Sequence, residues 1–397
     1  MSYDPKEILT LGSSDQELER RWKAVRQRME AEKIDALVMQ NQNQWLGGYV
    51  QWFTDVPARN SYPMTVIFPL RDEMTTITSG GRPPNDFGPP AWTLRGVKSR
   101  LTAPYFPSLV YSATYDAEIA VKTLKTWQDG RIGIVNPGTM TGAFYEYLLK
   151  NLSGARFVDA TDLVDEIKAV KSPEEIGFLM KTIALQDAAM EYARTAIRPG
   201  RRDFEIVADI VHKVTELGSE EQLVTGGSAP YGTPCPTQKR HYQNRVVREG
   251  DQFALMIEVN GPGGMYGESG RCFFVGEVPA ELYDAHELLK ETQHYTVSLL
   301  RPGADPKEIW KANNDFLVSK GQPPETRLYS HGQGYDLVER PTIRDDEPMK
   351  LKANMNITVH PLVASSRYWL SIWDNWLITE TGVSDRLHKT PQKIFSV

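Results

Sequence analysis

Two stretches in the second half of the chain superpose without a gap, and an internal duplication constrains the fold more tightly than any single motif. YARTAIRPGRRDFEIVADIVHKVTELG starts at Tyr192 and YTVSLLRPGADPKEIWKANNDFLVSKG starts at Tyr295. Tyr192 falls on Tyr295, Arg198-Pro199-Gly200 on Arg301-Pro302-Gly303, Glu205-Ile206 on Glu308-Ile309 and Gly218 on Gly321. Each copy reads as a helix, a turn and a second helix, and strand-rich sequence with Gly/Pro loops follows each. The expected domain is two helix-pair-plus-hairpin units about a pseudo-twofold axis, with a ligand cleft between their sheets.

The first half has another character. After an amphipathic helix over residues 17–33, the segments IDALVMQ, MTVIFPL, MTTITSG and RIGIVNP read as strands, with helical stretches TYDAEIAVKTLKTW and TGAFYEYLLKNL between them. This is an α/β domain over residues 1–165. At KSPEEI, Ser172 reads as an N-cap, Pro173 suits the first helical turn and Glu175 completes a capping box, so an α+β domain opens there and occupies residues 173–397.

Composition excludes several classes. With 397 residues, each domain is large enough to bury its own core. A net charge of -6 and no Lys/Arg run argue against nucleic acid. Two cysteines form no disulfide framework, the start lacks an apolar signal core, and no apolar run approaches the roughly 20 residues of a membrane span, so a cytoplasmic protein is expected.

The chemistry-bearing residues gather in a few places. SHGQGYDLVERP sets His331 in a glycine-rich turn and continues to Val338, Glu339 and Arg340. KRHYQNRVVREGD puts His241 just before a strand that carries Met256 and Glu258, GESGR contributes Glu268, and TVHP contributes His360. In RYWLSIWDNWLI, alternation puts Trp369, Trp373 and Asn375 on one strand face and Asp374 on the other. His212, His286, His294 and His388 read as structural.

Together the KSPEEI junction, the RPG repeats, GDQFALMIEVNGPGGMYGESGRCFF, SHGQG, NMNITVHP and DNWLITETG resemble the creatinase, prolidase and methionine aminopeptidase superfamily with its pita-bread fold. The resemblance implies a two-metal site of two aspartates, one histidine and two glutamates. On this chain those positions fall on Met256, Glu268, His331, His360 and Trp373. A thioether does not replace a carboxylate for a hard ion. The histidine that helps position peptide substrates falls on Val338. The resemblance with creatinase, which works without metal, makes His241 the acid/base, Glu268 its partner, and Arg59 a substrate anchor reaching the neighbouring subunit of a homodimer.

The resulting expectation is an enzyme without metal that cleaves a bond in a small aromatic molecule, a lyase by preference. His241, Glu268, His331 and His360 would be catalytic, and Arg59, Tyr62, Glu258, Arg340, Trp369 and Trp373 would bind substrate. The alternatives are a creatinase-type hydrolase, a divergent Xaa-Pro peptidase and a non-catalytic binding protein. A single divalent metal at Glu268, His331 and His360 is the less favoured cofactor reading, because one carboxylate offsets a buried cation poorly.

Overall fold

The computed structural model describes residues 12–80 and 93–397, and the chain divides into two compact units, residues 1–168 and 169–397. In the first unit, helix α1 (Asp15–Glu32) starts where the Ser14 hydroxyl accepts from the Glu17 amide. Its six strands are β1 (Ala36–Asn41), β2 (Met64–Pro69), β3 (Met74–Ser79), β4 (Val97–Ala103), β5 (Arg131–Ile134) and β6 (Arg156–Asp159), in the order β4-β3-β2-β1-β5-β6. The sheet is mixed: β1 and β3 run antiparallel to β2, while β4, β5 and β6 pair in parallel. Helices α2 (Gly48–Thr54), α3 (Tyr115–Leu124), α4 (Gly142–Asn151) and α5 (Thr161–Lys168) accompany it. Every residue of β1 is buried, as expected of a central strand covered on both faces.

The second unit opens with α6 (Pro173–Ala196), whose capping box is formed as the sequence predicts: the Glu175 amide donates to Ser172 Oγ and the Ser172 amide to the Glu175 carboxylate. Helix α7 (Asp203–Glu216) and strands β7 (Gln222–Pro230), β8 (Asp251–Asn260) and β9 (Tyr266–Phe274) follow, then α8 (Ala280–Leu299) and α9 (Pro306–Ser319). The remaining strands are β10 (Ser330–Gly332), β11 (Glu339–Thr342), β12 (Asn356–Val359), β13 (Leu362–Ala364), β14 (Trp369–Ser371), β15 (Asp374–Leu377) and β16 (Phe395–Ser396). Two four-stranded sheets result, ordered β16-β9-β8-β7 and β11-β10-β12-β15. The helix-joining glycines Gly200 and Gly303 sit at φ +85° and +80°, where a side chain would be strained.

Alternation along the strands decides which residues reach the site. Phe253, Leu255 and Ile257 of β8 pack with Ala189, Ala193 and Ile210 of the first helix pair. Ile357 and Val359 of β12 pack with Leu300 and Ile309 beside the second. Each such side chain contributes about 1.5–3 kcal/mol by burial. The opposite parity, Met256 and Glu258 on β8 and Thr358 on β12, is thereby turned away from the helices. A reciprocal pair of backbone hydrogen bonds between Gly270 and Trp373, 3.2 and 3.3 Å, joins the two sheets.

Candidate metal centre

Glu268 comes from the centre of β9, His331 from β10 and His360 from the residue after β12. One ligand atom of each lies within 4.8 Å of the others, and all three residues are buried. Glu268 is held at both ends: its amide donates to Asn375 Oδ1 at 2.8 Å, and its Oε2 accepts from the Thr358 hydroxyl at 3.1 Å. His331 Nδ1 lies 3.0 Å from the Gly332 carbonyl. A carbonyl accepts only, so Nδ1 carries the proton and Nε2 keeps its lone pair. Among the described residues, neither ring nitrogen of His360 has a hydrogen-bond partner, although both are buried. An orphaned buried polar atom costs about 1–3 kcal/mol and calls for a missing partner.

Electrostatics point the same way. Burial pushes the Glu268 carboxyl up to about 8. It also holds Glu258, which faces Glu268 across the β8–β9 register, well above the usual carboxylate range, with the Glu268 charge adding to the effect. The His331 imidazole is pushed down to about 4 by burial, and His360 well below its ordinary value by burial and then by neighbouring His331. Buried carboxylates and neutral imidazoles with free lone pairs are what a divalent cation binds. The donor set therefore fits a metal ion.

An amide network connects the Glu258 carboxylate to the backbone of Glu268. Gln333 Nε2 donates to Glu258 at 2.9 Å, and Asn375 Nδ2 donates to Gln333 Oε1 at 2.8 Å and to Asn356 Oδ1 at 3.2 Å. Gln333, Asn356 and Thr358 were not expected from sequence. Their only signal is a polar residue at the site-facing parity of an otherwise apolar strand region.

The other expected site residues differ in their settings. His241 stands on an exposed turn, edge-on to Tyr242, and is not one of the three converging residues. Arg340 donates to Glu347 at 2.8 and 3.1 Å, while Glu339 turns inward to Lys171 Nζ at 2.5 Å. Arg59 and Tyr62 are exposed on the first unit, with the guanidinium 5.5 Å from the ring centre. Trp373 stacks on His360 at 6.5 Å, and Trp369 meets Trp373 at 5.8 Å.

Residues 178–382, about half of the chain, match metallopeptidase family M24. The chain belongs to that family. It is 27% identical over 237 residues to the probable dipeptidase PepE of Mycobacterium tuberculosis, a match covering 59% of this chain and 62% of that protein. It is 24% identical over 270 residues to the Xaa-Pro dipeptidase of Pyrococcus furiosus, covering 65% of this chain and 74% of the relative. The crystal structure of PepE from Mycobacterium ulcerans superposes with a TM-score of 0.77 at 20% identity, covering 97% of this chain and 100% of that one. The pita-bread reading is thus established, with the N-terminal α/β domain ahead of it. The expectation of a metal-free centre is overturned: the family is one of metallopeptidases, and Glu268, His331 and His360 converge as a ligand set. The burial argument against one carboxylate leaves out the ring nitrogens of His360, which are buried and have no hydrogen-bond partner among the described residues.

Proposed function

We propose that the protein is a metal-dependent hydrolase that opens an amide bond in a substrate of dipeptide size. The buried, unpartnered nitrogens of His360 beside the Glu268 carboxylate carry this reading. Membership of the metallopeptidase family and similarity to proteins named as dipeptidases support it. The lyase reading has no such support and is set aside.

Glu268, His331 and His360 would hold the cation, which supplies Lewis acidity at the scissile carbonyl. Thr358 and Asn375 keep the Glu268 carboxylate and backbone in register. Glu258, oriented by Gln333, is placed to take a proton from water and return it to the leaving nitrogen. Val338, 38% exposed, presents an aliphatic surface on the loop between β10 and β11. Arg59 is retained as an anchor for a substrate carboxylate in the proposed homodimer.

The test begins with chelator-stripped protein reloaded with Mn(II), Co(II) or Zn(II) and offered a dipeptide panel that includes Xaa-Pro. Hydrolysis that returns with metal supports the proposal, and no turnover with any of the three metals contradicts it. Glu258→Gln is expected to lower kcat by about 10²–10⁴-fold, the usual range for a general acid/base, with His241→Gln changing it little.

A further inference from the structure

The sheet face beneath the site is divided into two rows. Across β8 and β9, Glu258 pairs with Glu268 and Met256 with Gly270, and paired residues project to the same face. One row therefore carries two carboxylates, while the next carries a half-buried thioether and no side chain at all. The indole of Trp373 covers the bare position. A Cβ on Gly270 would lie 1.8 Å from Trp373 Cε3, so only glycine admits the ring in this place. The reciprocal Gly270–Trp373 backbone hydrogen bonds fix the indole there, and its plane lies 22° from that of His360.

A hard divalent cation needs several oxygen or nitrogen donors to replace its water. Among the described residues, Glu268, His331 and His360 are the one group of three or more such donors that converges. Glu258 is adjacent, but its carboxyl is engaged by Gln333, and the neighbouring row offers sulfur and indole. We propose that this centre takes one divalent cation and that Trp373 fills the half of the site where a second cation would otherwise bind. The inference rests on the metal-hydrolase reading and deepens it, because a single cation leaves the second role, moving the proton, to a side chain.

The experiment titrates metal-stripped full-length protein with Co(II), following heat by calorimetry and tryptophan fluorescence in parallel. One equivalent per chain is expected, with quenching that saturates at that equivalent. In Trp373→Phe, one equivalent should still bind and most of the quenching should disappear; Trp369→Phe should keep the larger part. Two equivalents in the parent protein overturn the proposal without touching the hydrolase reading. Unchanged quenching in Trp373→Phe overturns the position given to the indole. No uptake of Co(II) by the parent overturns both.

Discussion

Asp374 and Glu268 are acids of the same chemistry, almost equally buried, and they titrate in opposite directions. Burial raises Asp374, but Arg271, His388 and Arg386 outweigh it and hold the carboxyl below its usual value. Its Oδ1 accepts from Arg271 at 2.7 Å and from Arg386 at 3.1 Å, and its Oδ2 from Gln392 at 2.9 Å. Among the described residues the Thr358 hydroxyl is the one donor to the Glu268 carboxylate, which burial pushes up to about 8. The Asp374 group is a structural cluster of matched charges, whereas among the described residues the Glu268 carboxylate has no Arg or Lys ion pair. A cation would do for Glu268 what Arg271 does for Asp374. Trp373 and Asp374 are adjacent in sequence, so the strand's period of two separates the two environments.

The comparison breaks if the two clusters respond alike to mutation. Glu268→Gln should lower hydrolysis at least about 10³-fold, because the Lewis acid supplies several kcal/mol, with little change in far-ultraviolet circular dichroism. Arg271→Met should act the other way, costing about 3–5 kcal/mol in denaturant unfolding because it removes the fully buried cation paired with the Asp374 carboxylate.

A third acid sharpens the contrast. Asp116, in the first unit, has a neutral partner, Gln40, at 2.8 Å, and burial pushes its carboxyl up from 3.8 to about 6. The folded chain keeps this proton to higher pH than the unfolded chain. Its contribution to stability is fully present below pH 4 and is lost as pH rises through about 6, by up to about 3 kcal/mol. The stability difference between the parent and Asp116→Asn, measured at pH 4 and pH 7.5, should shift against the parent at the higher pH; a constant difference contradicts the assignment. The smallest effect is expected at Ser172→Ala, where loss of the α6 cap should cost about 1 kcal/mol in the same unfolding assay.

Local features were legible in the sequence. The Ser172–Glu175 capping box, the strand MTVIFPL and the parity of Trp373 against Asp374 depend on neighbours within a few residues, and each is found where the pattern puts it. The amide network was not legible, because Gln333 and Asn375 meet across 42 positions of sequence. The role of His241 comes from the resemblance with creatinase alone, and local pattern says nothing of the exposed turn that carries it. Arg340 and Glu339 are adjacent, yet successive side chains of a strand diverge, so each found another partner. The face that Met256 and Trp373 occupy follows from strand parity, whereas the setting of His360 does not. Its significance is a buried ring without a hydrogen-bond partner, a property of three dimensions only.

The central claim is that Glu268, His331 and His360 bind a divalent cation and are stabilised by it. The most direct measurement is the thermal unfolding midpoint of chelator-stripped protein with and without Mn(II) or Zn(II), run beside Glu268→Gln. At a metal concentration about 100 times the dissociation constant, binding to the folded state alone stabilises it by about 2.7 kcal/mol. The account predicts a rise of several degrees in the parent protein and little or none in Glu268→Gln. Equal midpoints with and without metal in the parent, or an equal rise in both proteins, would contradict it.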